Sequence, residues 1–353
     1  MQLFQCQNCG QPIYFENIRC EQCGHQLGFL PQQMTLSALQ PEGEAWSALA
    51  AREDGTYRFC ANAEHGACNW LIPADGAESL CVACRHNQII PDMSVPENLP
   101  RWQKLEIAKH RLFYSLLRLG LPLANRADDP EHGLAFDFLA EAPDTPKVMT
   151  GHDDGQITLA LAEADDATRE QTRQQMGEPY RTLLGHFRHE VGHHYWDLLV
   201  RDGGRLDEFR ALFGDESQDY AAALARNYEE GPPADWRERF ISAYASCHPW
   251  EDFAETWAHY LHIVDTLEMG FAFGLEIRPR LAGSDELEAS IGFDPYAGGD
   301  VERLVAAWLP LVFAVNSLNR AMGLPDLYPF VLTPAVIEKL GFIHRLVHGG
   351  REA

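Results

Sequence analysis

The chain has 353 residues, which is enough for two or three domains and at least one large hydrophobic core. Hydrophobic residues make up 46% and charged residues 23%, as is ordinary for a soluble globular protein. The charge balance is acidic, with 28 basic residues, 52 acidic residues and a net charge of -24. Such a surface repels phosphate backbones and anionic membranes, so it argues against a nucleic-acid binder or a membrane-surface protein.

The apolar and cysteine patterns predict neither a signal peptide nor a membrane span. Cys6 and Cys9 fall where the hydrophobic segment of a signal peptide would lie. The longest apolar stretch, residues 306–315, is too short to cross a bilayer and is interrupted by Pro310. Three Cys-x-x-Cys pairs among nine cysteines favour metal binding over disulfides, so we expect a cytoplasmic location.

Residues 1–30 contain two Cys-x-x-Cys pairs, and a glycine directly follows each pair. A glycine at that point permits the tight turn that aims two thiolates at one ion. The spacing predicts a zinc ribbon with one structural zinc, in a module too small to fold without its metal. The predicted ligands are Cys6, Cys9, Cys20 and Cys23.

Residues 31–90 carry a second and looser set of cysteines, which predicts a second zinc-binding module. The preferred ligands are Cys60, Cys68, Cys81 and Cys84. The main alternative puts His65 in place of Cys60 or Cys68. Residues 1–90 hold four basic residues against nine acidic ones, which is a poor match for DNA or RNA. Protein docking or a structural role is therefore expected of both modules.

The prolines of residues 91–100 predict a linker, and residues 101–353 are expected to form a mainly helical domain with a small sheet. The predicted fold class is therefore α+β. Helices are predicted at 101–119, 165–176, 179–200, 301–322 and 333–347, and strands at 134–139, 147–150 and 156–162. The helix at 101–119 has apolar residues at helical spacing and is assigned to core packing, with no chemistry.

The predicted helix at 179–200 contains His189-Glu190-Val191-Gly192-His193. Residues four apart share one face of a helix, so His189 and His193 can hold the same metal ion. Glu190 can reach a water on that metal, which is the H-E-x-x-H arrangement of zinc metallopeptidases. Gly192 suggests close approach of another backbone or of substrate. Asp197, one turn after His193, is a candidate to hold a ligand histidine's other nitrogen.

The third metal ligand separates the peptidase classes. A metzincin would need glycine and histidine where this chain has Trp196 and Leu199, so that class is excluded. Residues 247–262 contain Glu251-Asp-Phe-Ala-Glu255, which resembles the E-x-x-A-E motif of gluzincins. That resemblance implies Glu251 as the zinc ligand and Glu255 as the carboxylate that supports a ligand histidine, with the swapped assignment as the alternative.

Gluzincins usually add a tyrosine or histidine that stabilises the developing oxyanion. Toxin-type gluzincins place a tyrosine much as Tyr244 is placed here, so Tyr244 is the first choice. The rivals are Tyr260, Tyr328 and His259. The order of sheet and metal helix resembles a zincin fold, in which a strand beside the site pairs with the substrate. The strand at 157–162 is the candidate for that role, and an ordinary internal strand is the alternative.

Taken together, the cysteine ribbons, His-Glu-Val-Gly-His and His-Pro-Trp-Glu-Asp-Phe-Ala-Glu resemble a bacterial family of zinc-binding metallopeptidases with an amino-terminal zinc ribbon. The resemblance covers nearly the whole chain. It implies one catalytic and two structural Zn²⁺ ions, and peptide hydrolysis by a zinc-bound water with Glu190 as general base. The substrate would be a protein or peptide, recruited by the ribbons. The alternative is a non-catalytic, zinc-stabilised scaffold that binds proteins.

Overall fold

The chain divides into two units, Met1–Met176 and Gly177–Ala353, called here the N-terminal and C-terminal units. The computed structural model describes residues 2–53, 55–141, 148, 150–281, 283 and 285–349. The division lies well beyond the predicted linker at residues 91–100. The segment 101–176, which was assigned to the metallopeptidase domain, is therefore part of the N-terminal unit.

The amino-terminal ribbon consists of short antiparallel strands. Strands β1 (Phe4–Gln5) and β2 (Pro12–Ile13) form one pair, and a five-stranded sheet has the order β3-β4-β5-β6-β7. Its strands are Leu27–Leu30, Thr35–Glu42, Ala45–Ala48, Thr56–Phe59 and Leu71–Pro73. Leu27 at the end of the first predicted module pairs with Ala38 in the second, so the two modules share one sheet.

The rest of the N-terminal unit consists of helix α1 (Asn98–Leu119), a four-stranded sheet and helix α2 (Asp166–Met176). The sheet is formed by β8 (Asn87–Ile89), β9 (Ala135–Leu139), β10 (Gly151–Asp153) and β11 (Gln156–Ala160). Helix α1 packs on the ribbon through aromatic contacts, such as Phe15 with Tyr114 at 5.5 Å between ring centroids.

The strand proposed to pair with substrate does not lie at a sheet edge. The strand order is β10-β11-β9-β8, so β11 is hydrogen-bonded on both sides, antiparallel to β10 and parallel to β9. The prediction of a substrate strand at 157–162 is therefore wrong, because the backbone groups it would need are already paired within the sheet. Residues 147 and 149 of the strand predicted at 147–150 lie outside the described residues.

The C-terminal unit is built mainly from helices. They are α3 (Leu183–Trp196), α4 (Leu206–Phe213), α5 (Tyr220–Glu230), α6 (Trp236–Arg239), α7 (Pro249–Ala272), α8 (Val301–Ala321) and α9 (Pro334–His348). Strands β12 (Glu276–Ile277) and β13 (Ala289–Ser290) form a small antiparallel pair. The buried centre of α7 packs against α3, α8 and α9, which places α7 in the core of this unit.

Local capping explains where these helices begin. Helix α3 begins at Leu183, later than predicted, because the Thr182 side chain accepts a hydrogen bond from Gly185 N at 3.0 Å. His248 caps α7 in the same way through Trp250 N, and Pro249 occupies the first helical position, as predicted.

Helix α8 continues through Pro310, in agreement with the helix predicted at 301–322. By length and composition alone the helix could cross a membrane, a property it shares with core helices of soluble proteins. Of the most apolar 18-residue window in this helix, 44% is buried inside the protein. The buried residues include Trp308 and Leu311. The buried face of this helix packs against α7 and α9, whereas its Phe313 and Leu318 side chains are exposed.

Candidate metal centres

The first cysteine cluster consists of Cys6, Cys9, Cys20 and Cys23, whose sulfurs lie within 4.8 Å of one another. The Sγ–Sγ distances are 3.6 Å both for Cys6 with Cys23 and for Cys9 with Cys20. A tetrahedral zinc with bonds of about 2.3 Å separates its sulfur ligands by about 3.8 Å. All four are free cysteines, so the spacing fits one zinc and does not reflect a disulfide.

The second cysteine cluster consists of Cys60, Cys68, Cys81 and Cys84, which also bring their sulfurs within 4.8 Å. Cys68 Sγ and Cys81 Sγ are 3.8 Å apart. The alternative ligand His65 is not in this group, and it contacts Glu64 at 3.5 Å and the ring of Trp102. The four cysteines therefore fit the metal better than any set that includes His65.

Helix α1, which the sequence assigned to packing alone, places polar side chains against the second cluster. His110 Nε2 lies 3.3 Å from Cys68 Sγ and 3.6 Å from Cys84 Sγ. Its Nδ1 donates to the backbone oxygen of Glu106 at 2.7 Å. The Glu106 carboxylate pairs with Lys109 Nζ at 2.8 Å, and both side chains are fully buried. The sequence does carry a signal for this contact, because these three charged or titratable residues lie on the apolar face of a helix.

Helices α3 and α7 approach each other closely at Gly192. A Cβ added there would lie 3.1 Å from Ala254 Cα and 3.3 Å from Trp257 Cβ. The expectation that another backbone approaches this glycine is confirmed. The close approach brings the histidines of α3 opposite the carboxylates of α7.

His189, His193 and Glu251 form the three-residue site, with one ligand atom of each within 4.8 Å of the others. Glu251 Oε2 lies 3.0 Å from His189 Nε2 and 3.6 Å from His193 Nε2. Glu251 is only 2% exposed, and Oε2 has no well-aligned hydrogen bond among the described residues. A buried carboxylate oxygen that faces two imidazole nitrogens matches the donor set of zinc sites that keep a fourth position open.

Glu255 lies on the other side of His189. His189 Nδ1 donates to Glu255 Oε1 at 2.8 Å, and Ser242 Oγ donates to Glu255 Oε2 at 2.6 Å. A carboxylate in this position fixes the tautomer and the ring orientation of a metal-binding histidine. Glu251 therefore lies at the nitrogens that face the metal position, and Glu255 supports His189 from its other nitrogen. This geometry favours the predicted assignment over the swapped one. Ser242 was not identified from the sequence.

The electrostatics of the site follow from burial among carboxylates. Burial disfavours the charged imidazolium, but Glu251 and Glu255 outweigh that effect and raise the pKa of His189 well above its usual value. Burial also raises the pKa of Glu190, which moves this carboxylate toward the range of an efficient general base. Asp197 pairs with Arg201 at 2.6 Å in a π-helical segment, Asp197–Arg201, that continues α3.

Two tyrosines lie at the three-residue site. The ring of Tyr244 is 6.0 Å from that of His189, and burial is the largest of the causes that raise its pKa. Tyr220 donates its hydroxyl hydrogen to Glu251 Oε1 at 2.6 Å. Tyr220 was not identified from the sequence, because it precedes Glu251 by 31 residues and no motif marks it.

The rival oxyanion donors make other contacts. Tyr328 hydroxyl lies 2.7 Å from His259 Nδ1, and Tyr260 hydroxyl lies 2.9 Å from His344 Nδ1. Tyr260 is 1% exposed and Tyr328 is 7% exposed. Burial lowers the pKa of His259 to about 4, so its imidazole is neutral at physiological pH. The role of Tyr244 as the oxyanion donor stays a prediction.

Two four-cysteine clusters and a separate group of two histidines and a carboxylate define the class as a zinc-binding protein with an amino-terminal ribbon. The chain belongs to the family described as "Putative zinc-binding metallo-peptidase", which matches residues 98–346. Residues 3–95 match a zinc-ribbon domain family. The predicted family membership is confirmed by these matches.

Curated relatives occur in mycobacteria. The chain is 44% identical over 350 residues to "Uncharacterized protein Rv2568c" of Mycobacterium tuberculosis, covering 98% of this chain and 95% of the relative. "Uncharacterized protein Mb2598c" of Mycobacterium bovis matches with the same identity and coverage. No solved structure matches the chain.

Proposed function

We propose that the chain is a zinc-dependent peptidase of the gluzincin type, with a zincin-like arrangement of α3 and α7. The observation that carries the proposal is the convergence of His189, His193 and Glu251 on one point, with Glu190 on the same helix. Two imidazoles and one carboxylate fit a catalytic zinc, since such sites use three protein ligands and keep a fourth position open. Zinc, when bound, lowers the pKa of a coordinated water and polarises a carbonyl.

The chain's own residues supply the proton transfers. Glu190 accepts a proton from the attacking water as the new C–O bond forms at the peptide carbonyl. It then passes that proton to the leaving amine as the C–N bond breaks. Its raised pKa suits both steps, because burial makes this carboxylate a better proton acceptor than an exposed one. Tyr244 is the proposed donor to the developing oxyanion.

We further propose that the two four-cysteine clusters hold structural zinc and that the ribbon docks the protein or peptide substrate. The excess of acidic residues in this region supports a protein partner over a nucleic acid. None of the nine cysteines, all of which the structure describes, forms a disulfide, which is consistent with a proposed location in the reducing cytoplasm.

The test is the Glu190→Gln variant of the full chain, assayed against a peptide library. We expect this variant to keep its metal content and to lose hydrolysis by about 10²–10⁴-fold, the usual contribution of a general base. Glu229→Gln on the exposed surface of α5 is the control and should retain full turnover. Equal turnover of the Glu190→Gln variant and the unmodified chain would contradict the peptidase proposal.

The alternative function is a zinc-stabilised scaffold that binds proteins without cleaving them. It predicts that neither the unmodified chain nor Glu190→Gln hydrolyses any member of the library. Affinity capture with Glu190→Gln separates the two functions. A partner that is cleaved by the unmodified chain supports the peptidase, whereas a partner that remains intact supports the scaffold.

A further inference from the structure

The two oxygens of Glu251 have different surroundings. Oε2 faces the Nε2 atoms of His189 and His193 at 3.0 and 3.6 Å. Oε1 accepts the hydroxyl hydrogen of Tyr220 at 2.6 Å. The carboxylate itself is 2% exposed, so water contributes little to satisfying these oxygens. One oxygen is therefore directed at the metal position while the other is held by a neutral donor.

Tyr220 reaches Glu251 from a helix that has little contact with the core. It is the first residue of α5, whose first turn is capped by Asp219 through Ala222 N at 2.9 Å. Ala223 is the one buried residue of that helix. Tyr220 itself is 36% exposed, and its ring contacts His248 and Trp250 at centroid distances of 5.3 and 6.1 Å. Core packing alone therefore does not account for the position of its hydroxyl group.

We propose that Tyr220 is a positioning residue that keeps Glu251 a ligand through one oxygen only. This inference rests on the proposed metal site. A carboxylate can bind zinc through one oxygen or through both, and binding through both would add a fifth ligand atom to the three protein ligands and the water of a catalytic zinc. A hydrogen bond from Tyr220 satisfies Oε1 and holds it away from the metal, much as carboxylates fix the histidines of zinc sites.

The test uses the full chain loaded with Co²⁺, whose visible absorption reports coordination number. His193→Ala provides the reference spectrum, because it retains the cysteine clusters and loses one ligand of the three-residue site. Subtracting that spectrum isolates the absorption of the three-residue site. Tyr220→Phe removes only the hydroxyl group and keeps the ring that contacts His248 and Trp250. Tyr14→Phe, which removes the hydroxyl group of an exposed tyrosine in the N-terminal unit, is the matched control.

We expect Tyr220→Phe to lower the absorptivity of the difference spectrum, as a fifth ligand atom joins the metal. We also expect it to weaken metal binding by about 10–100-fold, the usual effect of losing a partner of a metal ligand. Tyr14→Phe should match the unmodified chain in both measurements. An unchanged spectrum and affinity in Tyr220→Phe would overturn the role of Tyr220 and leave the metal site standing. If the unmodified chain and His193→Ala give the same spectrum, the metal site itself is contradicted.

Discussion

The cysteine clusters of the N-terminal unit and the three-residue site of the C-terminal unit offer a metal opposite surroundings. Each cluster presents four sulfurs, with measured separations of 3.6–3.8 Å, which close a tetrahedron around zinc. The three-residue site presents two nitrogens and one oxygen. Four sulfurs can complete the coordination of a zinc ion, whereas two nitrogens and one oxygen would leave one position open.

The second cysteine cluster and the three-residue site also differ in how far the protein encloses them. The second cluster is backed by His110 and by the fully buried pair of Glu106 and Lys109. The three-residue site is bordered by the oxygens of Glu255 and Tyr220, and Tyr220 is partly exposed. Enclosure in a packed interior suits a metal that stabilises a fold. Partial exposure and groups that transfer protons suit a metal that takes part in a reaction.

The largest expected effect is the loss of a cysteine cluster. Structural zinc contributes about 10–16 kcal/mol of binding free energy, which is also folding free energy. We expect Cys81→Ser to unfold the N-terminal unit and His193→Ala to leave the C-terminal unit folded. Hydrogen exchange read by mass spectrometry can follow the two units separately. Metal analysis should give three zinc ions for the unmodified chain, about two for His193→Ala and about one for Cys81→Ser, because both clusters lie in the N-terminal unit. Equal hydrogen-exchange protection of the N-terminal unit in both variants would contradict this difference between the cluster and the three-residue site.

An intermediate effect is expected at Glu255, which holds His189 Nδ1 at 2.8 Å. We expect Glu255→Ala to weaken metal binding at the three-residue site by about 10–100-fold, because the imidazole loses its fixed orientation. Competition with a chromophoric chelator measures this affinity, and Glu229→Ala on the exposed surface of α5 is the control. The clusters should keep their zinc in both variants. An unchanged metal affinity in Glu255→Ala would indicate that a different group orients the imidazole of His189.

The smallest effect is a dependence of metal affinity on pH. Without metal, Glu251 and Glu255 raise the pKa of His189 well above its usual value despite its burial, which favours the protonated imidazole. A metal ion must displace that proton, so affinity falls as pH falls, by at most about tenfold per pH unit for one proton. Competition titrations at several pH values measure the slope. Glu255→Ala removes one cause of the raised pKa, so its slope should flatten near neutral pH.

Much of the candidate site was predictable because its spacing is local. His189 and His193 share one face by the i,i+4 geometry of a helix, whereas the roles of Glu251 and Glu255 came from the resemblance of their segment to the gluzincin E-x-x-A-E motif. The cysteine ligands follow from paired spacings with a turn. The strand at 157–162 was misjudged because sheet edges depend on which strands become neighbours, and alternation in one segment does not encode this.

The contacts that the sequence did not predict join residues far apart in the chain. Tyr220 reaches Glu251 across 31 positions, and His110 reaches Cys68 across 42. Neither belongs to a short motif. Which residues they contact depends on how the helices pack. Gly192 is an example, because the absence of a side chain there lets α3 and α7 approach closely.

The sequence by itself determined the ligand types, the faces on which they lie and the family to which the chain belongs. Periodicity and spacing act between near neighbours, so they can be read without knowing the fold. The tertiary structure alone decided that β11 is internal and that Glu251 Oε2 faces both histidines. It also decided that Tyr220 holds the other oxygen. Those outcomes depend on the packing of distant segments, where small differences in approach select among many possible partners.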